Sequence, residues 1–214
     1  MRRLPLCLPA LLVTLSACSY FTAENPDPNH SHADFAVWVE ATKLDFSDAI
    51  YMSSAPRTDA SGQLVPTEIP GRQYLHLHNE NGHVMHRHKP GLTLADFFSS
   101  IGLKMSKTCL TLDTLQLSKL DAGWKRDFGI TKNLCTDGKF HWTMVVNDRE
   151  MPMNPDYVFA DNDKIMLSYS AADIWSGEWA KMTDDACLYS QTCPWRGKPP
   201  VEGCIADPTV PCTE

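Results

Sequence analysis

Apolar and polar residues alternate in several short segments of the chain, a period that is typical of β-strands. Phe35, Val37 and Val39 are separated by single residues, and a turn over residues 40–43 leads into a returning segment at residues 44–46. We therefore expect a sheet whose strands are joined by short turns. The same pattern predicts further strands over residues 109–112, 140–146 and 164–169.

The histidine-rich segment at residues 74–90 is predicted to be a β-hairpin around the turn Asn79-Glu80-Asn81-Gly82. A two-residue Asn81-Gly82 turn would mix leucines with histidines on each face, which defines neither an apolar nor a polar face. A three-residue loop over residues 80–82, with Gly82 in the left-handed conformation, separates them. We predict this second register, with His76 opposite His86. One face then carries Tyr74, His76, His78, Val84, His86 and His88.

A helix is predicted directly after the hairpin. Thr93 is a suitable N-cap, apolar residues recur at helical spacing over residues 94–101, and Gly102 ends the segment. Weaker helical patterns cover residues 115–120 and 171–182. Residues 48–70 are predicted to form an irregular or weakly helical loop, because they contain the breakers Pro56, Gly62, Pro66 and Pro70.

The N-terminus has the features of an export signal. Arg2 and Arg3 precede an apolar run over residues 4–15 that is too short to span a bilayer. The string Leu15-Ser16-Ala17-Cys18 resembles a bacterial lipobox, which implies cleavage before Cys18 and lipidation of that cysteine. Ser19 then resembles a signal for outer-membrane sorting. The alternative is a plain secretory signal that leaves Cys18 as a spare thiol.

Net charge and cysteine content limit which binding partners and which cellular compartment we expect. The net charge of −7 argues against binding to nucleic acid or electrostatic docking on anionic lipid. Without Cys7 and Cys18 an even set of six cysteines remains, which predicts three disulfides in an oxidising compartment. Zinc binding by cysteines is disfavoured because no Cys-x-x-Cys pair exists. We favour Cys109–Cys135, with Cys187, Cys193, Cys204 and Cys212 pairing among themselves.

These elements divide the chain into four parts. Residues 1–17 are the predicted signal peptide, residues 18–29 a lipidated tether, residues 30–182 an α+β domain, and residues 183–214 a disulfide-stapled tail rich in Cys and Pro. The expected fold is β-grasp-like, a mixed or antiparallel sheet with one packed helix. Residues 142–147 and 163–169 resemble the end of the β-grasp domains found in cobalamin-carrier-like and secreted bacterial modules.

Other segments resemble a family of uncharacterised exported prokaryotic lipoproteins with a histidine-rich hairpin. The matching segments are His32-Ala33-Asp34-Phe35-Ala36-Val37, His76-Leu77-His78, His86-Arg87-His88, Thr93-Leu94-Ala95-Asp96-Phe97-Phe98 and Ala186-Cys187-Leu188-Tyr189-Ser190. This resemblance implies export and membrane anchoring in the cell envelope, at the outer membrane or cell surface. Some members carry an automatic protein-disulfide isomerase label, but that activity normally needs a Cys-x-x-Cys motif, which this chain lacks.

The predicted chemistry is transition-metal binding. His76, His78, His86 and His88 converge on one face, His32 is the next candidate ligand, and imidazole favours copper or zinc over magnesium or calcium. Storage, transfer or a structural role fits better than hydrolysis, because no carboxylate lies in a His-Glu-x-x-His helix. His30 could reach the same face, whereas His83 and His141 are expected outside it. Methionines would add Cu(I) ligands if exposed beside the histidines, the candidates being Met85, Met144, Met151 and Met153.

Two further interpretations stay open at this point. The histidines could form a solvated strand face that responds to pH. Alternatively, the protein is a non-catalytic envelope interaction module, in which Trp195 is the best candidate for an exposed contact residue. Asp34 and Asp96 either orient an imidazole, or Asp34 simply begins a strand and Asp96 is a charge on the face of a helix.

Overall fold

The computed structural model describes residues 23–120 and 131–200. Its strands are β1 (Ser31–Val39), β2 (Thr42–Lys43), β3 (Ser54–Thr58), β4 (Leu64–Glu68), β5 (Leu75–His76), β6 (Val84–Arg87), β7 (Lys104–Met105), β8 (Cys109–Thr111), β9 (Asn133–Cys135), β10 (His141–Val146), β11 (Arg149–Met151) and β12 (Asp163–Ser170). Its helices are α1 (Leu94–Ser100), α2 (Thr114–Lys119), α3 (Trp175–Trp179) and α4 (Ala186–Tyr189), with 3-10 turns at Ala49–Tyr51 and Pro194–Arg196.

The main sheet brings the two ends of the domain together at its centre. Its strand order is β11-β10-β12-β1-β6-β5, and β2 pairs with β1. Strand β1 is parallel to β12, whereas β1–β6, β5–β6, β10–β12 and β10–β11 are antiparallel. The predicted α+β class is therefore confirmed, and the more specific resemblance to β-grasp modules stays a prediction.

Both faces of β1 are buried, so the sheet is the middle layer of the fold. Phe35, on one face, packs edge-on against Phe97 of α1 with ring centroids 5.0 Å apart. Thr93 and Asp96 form a capping box at the start of α1, as expected for the predicted N-cap. On the other face, Trp38 lies in an apolar cluster against Trp175 and Trp179. Trp175 and Trp179 of α3 therefore belong to a third layer of the fold.

The predicted hairpin register is confirmed, but the predicted loop is wrong. Leu75 pairs with Arg87 and His76 with His86, whereas the connection between the strands is longer than three residues. Leu77 forms a parallel bridge with Met52 instead of continuing the ladder toward β6. This contact, distant in sequence, draws the chain away from β6 and lengthens the loop.

Gly82 has a different role from the one predicted. The left-handed residues of the loop are Asn79 and Glu80, each with φ of 56°. Gly82 instead lies against the backbone of the segment that follows β2. A Cβ at this position would be 2.4 Å from both the carbonyl carbon of Phe46 and the amide nitrogen of Ser47. Glycine is needed here for close backbone approach.

Residues 48–70 were predicted to be irregular or weakly helical, which is wrong. They contain a 3-10 turn and the antiparallel ribbon formed by β3 and β4. Pro56 lies directly opposite Pro66 in that ribbon. Proline has no N–H to donate, so two prolines can face each other only at an antiparallel pair that exchanges no hydrogen bonds. A two-stranded ribbon allows this, because both of its strands are edge strands.

Two disulfides are formed within the described ranges. Cys109–Cys135 links the directly paired strands β8 and β9, which is the pairing that the sequence favoured. Cys187–Cys193 closes a short loop near the C-terminus. Such disulfides are typical of proteins outside the cytoplasm. Within residues 23–120 and 131–200, none of the helices combines the length and apolar character needed to cross a bilayer. The predicted signal peptide, Cys18, Cys204 and Cys212 lie outside the described residues.

We expect Gly82→Ala to reduce the free energy of unfolding by about 1–3 kcal/mol, because the new methyl group would displace fixed backbone atoms. Gly138→Ala is the matched control, since its methyl group would meet no atom within 4 Å. This control should change stability by no more than about 0.5 kcal/mol. Urea unfolding of both variants tests the close approach, and equal midpoints would contradict it.

Candidate metal centre

Six histidines on and beside three adjacent strands lie together on the side of the sheet opposite α1. His32 on β1 lies directly opposite His86 on β6, which in turn lies opposite His76 on β5. Three more histidines, each two residues from one of these in sequence, contact the row with their rings. These are His30, His78 and His88.

The six imidazoles are in contact with one another and hidden from solvent. Their exposed fractions lie between 0% and 6%. The shortest distances between ring centroids are 3.8 Å for His30–His88, 3.9 Å for His78–His86, 4.3 Å for His30–His32, 4.7 Å for His32–His86 and 5.0 Å for His76–His88. We call this group the histidine cluster.

Three members of the histidine cluster form a group that can hold a metal ion. One nitrogen each from His30, His32 and His86 lies within 4.8 Å of the other two. Nitrogens that ligate one tetrahedral ion at about 2 Å are about 3.3 Å from each other. The three nitrogens would therefore have to move closer together to share one ion.

Hydrogen bonding orients His32 within this group. The Ser190 hydroxyl donates to Oδ1 of Asp161 at 2.5 Å and lies 2.8 Å from Nδ1 of His32. Because the hydroxyl proton is directed to Asp161, Ser190 accepts the proton of His32 Nδ1. The lone pair of His32 is then on Nε2. Donation from the ring to an outer partner is the usual way in which proteins orient metal-binding histidines.

Two more imidazoles have an engaged Nδ1. Nδ1 of His76 donates to the carbonyl oxygen of Arg72 at 2.7 Å, since a carbonyl can only accept. Nδ1 of His86 lies 3.1 Å from Nε2 of His78, and one of the two atoms carries the proton. With the proton on Nδ1, His86 presents the same atom as His32. In that state His32 and His86 both present Nε2 to an ion, whereas Nε2 of His78 is engaged with His86.

A segment from the C-terminal part of the chain closes over the histidine cluster. We call residues 183–197 the C-terminal cover. The ring of Tyr189 lies 4.8 Å from that of His86 and 5.5 Å from that of His32. The Tyr189 hydroxyl accepts a hydrogen bond of 2.8 Å from the side-chain amide of Asn81 in the hairpin loop. The cover therefore contacts both the ligands and the loop that separates β5 from β6.

Asp34 attaches the C-terminal cover to the sheet. Its buried carboxylate accepts hydrogen bonds from the Thr183 hydroxyl at 2.6 Å and from the backbone N–H groups of Asp185 and Ala186 at 3.0 Å each. Asp34 thus binds the start of α4 and fixes where Tyr189 and Ser190 lie. The sequence offered two roles for this residue, and anchoring the cover is neither of them.

The rim of the site is charged. Asp185 accepts hydrogen bonds of 2.9 Å from Nε2 of His83 and from the Arg196 guanidinium. Burial opposes ionisation of this carboxyl, but the hydrogen bonds from His83 and Arg196 outweigh it and lower the pKa of Asp185. His83 therefore lies at the rim, and His141 lies at the start of β10. Both are away from the histidine cluster, as expected.

The methionines do not join the histidines. Met85, Met144 and Met153 are buried in the apolar core beneath the opposite face of the sheet, and Met151 packs against that core. Met85 follows Val84 and precedes His86, so strand alternation directs it away from the cluster. The histidine cluster therefore offers imidazole nitrogens as metal ligands, and none of these four methionines adds a thioether sulfur to it.

All five histidines predicted as ligands lie in the cluster, and His30 completes its closest triad. The sequence interpretation missed the residues that orient and cover it, namely Asp161, Tyr189, Ser190 and the Arg72 carbonyl. A signal existed for two of them, because Tyr189 and Ser190 belong to a segment that resembled the lipoprotein family. Their role was hidden because they are more than 100 residues from the hairpin.

Comparison with protein-family models, curated proteins and solved structures gives no significant match. The resemblance to exported lipoproteins and to β-grasp modules therefore stays a prediction.

Replacing Asp34 by Asn should loosen the C-terminal cover, because the amide nitrogen cannot accept one of the three hydrogen bonds. We expect a loss of about 2–3 kcal/mol in stability, the range for a buried hydrogen bond to a charged group. Faster amide hydrogen exchange in residues 186–190 should accompany it. Asp96→Asn, in the exposed capping box, is the control and should cost about 1 kcal/mol or less. Unchanged exchange in the cover would show that Asp34 does not anchor it.

Proposed function

We propose that this protein binds one transition-metal ion, Cu(II) or Zn(II), at a centre formed by His30, His32 and His86. The observation that supports the proposal is the buried triad of imidazole nitrogens within 4.8 Å of one another. His76, His78 and His88 surround it and are the candidates for further ligands. This adds His30, the residue before β1, to the five histidines predicted as ligands from the sequence.

Burial favours metal binding over a solvated histidine face. A surface that responds to pH would expose its imidazoles, whereas these are at most 6% exposed. Protonating several of them would place positive charges on rings whose centroids are 3.8–4.7 Å apart in a desolvated cluster, where repulsion is strong. A bound cation instead satisfies the lone pairs of neutral imidazoles without adding such repulsion.

The donor set narrows the choice of metal. Imidazole ligands suit Cu(II), Zn(II) and Ni(II), whereas Mg²⁺ and Ca²⁺ prefer oxygen. Among divalent ions of the first row Cu(II) generally binds such sites most tightly, so copper and zinc are distinguished by availability and geometry. The burial of Met85, Met144 and Met153 in the apolar core gives no support for a methionine-rich Cu(I) site.

The surroundings favour a binding role over catalysis. A catalytic zinc site keeps an open coordination position that substrate can reach. Here the triad is buried and Tyr189 lies over two of its rings. The nearest carboxylate described, Asp161, is already bonded to Ser190 and to the backbone of His32. We therefore propose storage, transfer or a structural role for the metal.

We place this activity in the cell envelope, in a protein exported and lipidated at Cys18. The two disulfides support an oxidising compartment. An interaction module is the second candidate, because the Trp195 side chain in the C-terminal cover is 58% exposed. A partner that binds equally well with and without chelator would favour that second role.

Titration of the mature protein, purified without a histidine tag, tests the metal centre. Wild-type protein should bind one equivalent of Cu(II) or Zn(II). The His32→Ala, His86→Ala double variant should bind at least about 100-fold more weakly, because losing ligands exceeds the usual cost of losing an outer partner. His141→Ala removes a histidine away from both the cluster and its cover and should leave affinity unchanged. An affinity of the double variant equal to that of His141→Ala would refute the proposal.

Ser190→Ala tests the orientation of His32. The variant removes the acceptor of the Nδ1 hydrogen bond, so metal affinity should fall about 10- to 100-fold. Ser31→Ala is a close control, because Ser31 is the buried neighbour of His32 in sequence but accepts a hydrogen bond from Arg87 instead. The measurement is affinity by competition with a coloured chelator. If the two serine variants lose affinity equally, Ser190 has no specific part in orienting His32.

A further inference from the structure

The C-terminal cover carries a disulfide at the point where it contacts the histidine cluster. Cys187–Cys193 closes a loop whose interior residues include Tyr189 and Ser190. Tyr189 packs on His86, and Ser190 bonds to His32 and Asp161. The crosslink therefore encloses the two residues by which the cover touches the proposed metal ligands.

The loop contains the turn that ends α4. Gln191, directly after Ser190, has φ of 57°, a left-handed value that is usual for the residue ending a helix in a Schellman motif. The motif is completed by hydrogen bonds from Gln191 N–H to Leu188 O at 3.2 Å and from Thr192 N–H to Cys187 O at 3.0 Å. The disulfide joins Cys187, within α4, to Cys193, directly after this turn, and so links its two ends covalently.

We propose that Cys187–Cys193 is a redox latch that controls metal release from the histidine cluster. This inference rests on the proposed metal centre. With the disulfide intact the turn presents Ser190 to His32. Reduction removes the covalent link between the ends of the turn, so that only its hydrogen bonds hold it, and Ser190 withdraws from Nδ1 of His32. Tyr189 moves with it, which opens the cluster to water.

The reductant is a dithiol, of either a small molecule or a protein. Its thiolate attacks Sγ of Cys187, which is the half-buried sulfur, and the buried Cys193 leaves as a thiolate. The second thiol of the reductant then displaces Cys187, so the dithiol is oxidised to a disulfide and the latch gains two electrons and two protons. The Arg196 guanidinium, 3.5 Å from Sγ of Cys187, stabilises the thiolate released in this second step.

The second described disulfide provides a control for crosslinking in general. Cys109–Cys135 lies between β8 and β9, in a three-stranded sheet separate from the strands that carry the histidines. Its removal destabilises a different part of the protein and leaves the C-terminal cover crosslinked. If metal affinity falls when Cys187–Cys193 is removed but not when Cys109–Cys135 is removed, the effect is specific to the first disulfide and is not a general result of removing a crosslink.

The test compares Cys187→Ser, Cys193→Ser with Cys109→Ser, Cys135→Ser. Chelator competition gives the affinity for Zn(II), and stopped-flow transfer to excess chelator gives the dissociation rate. The first variant should bind about 10- to 100-fold more weakly than wild type and release zinc faster, because His32 loses its outer partner. The second should retain wild-type values. Equal affinity and rate in both variants would overturn the latch while leaving the proposed metal centre in place.

Failure of the metal centre itself gives a different result, because oxidised wild-type protein would then bind neither Zn(II) nor Cu(II). A second measurement applies if the Cys187→Ser, Cys193→Ser variant does not fold. Cys109, Cys135, Cys204 and Cys212 are replaced by serine, the remaining pair is reduced with a dithiol, and the dithiol is removed without oxygen before titration. Affinity should fall on reduction and recover on reoxidation, and an affinity that is the same in both states would overturn the latch.

Discussion

The in-register pairing of β1 with β6 is the constraint on which the rest of the structure depends. It places His32 opposite His86, while the pairing of β6 with β5 places His86 opposite His76. A shift of one residue in either pairing would direct the affected histidines to the other face. The neighbouring residues Ala33 and Met85 would then leave the apolar core. The chemistry of the site and the burial of the core are thus set by the same ladder of hydrogen bonds.

The second requirement is that another part of the chain cover the histidine cluster. The part of this face that carries the six histidines has little apolar surface to attract a packing partner, and the C-terminal cover is held there largely by polar contacts. Asp34 binds the first turn of α4, and Asp161 bonds to Ser190. A smaller apolar contact of Val84 with Ala186 and Tyr189 completes the packing. A cover attached in this way can depend on one crosslink for its final geometry, which is the physical basis of the proposed redox latch.

Several features that bear on function were accessible from sequence because they follow from local alternation. The two-residue period placed His76, His78, His86 and His88 on one face and identified β1, β10 and β12. The wrong predictions share a different cause. The hairpin loop is longer than expected because Leu77 pairs with Met52, and facing prolines are accepted in the β3–β4 ribbon. The length of the loop and the pairing of the prolines both depend on which segment of the chain packs beside each strand. The turn preferences of individual residues do not contain this information.

The sequence by itself determined the α+β class, the strand register that aligns His76 with His86, and the Cys109–Cys135 pairing, because each depends on periodicity or on a small set of possible partners. Tertiary structure alone decided that His30, His32 and His86 form the closest triad, and that Asp34, Asp161, Tyr189 and Ser190 support it. The physical reason is that these residues are brought together by β1 pairing with β6 and by a C-terminal segment returning over the sheet. Hydrogen bonds between residues more than 100 positions apart leave no periodic trace in the chain.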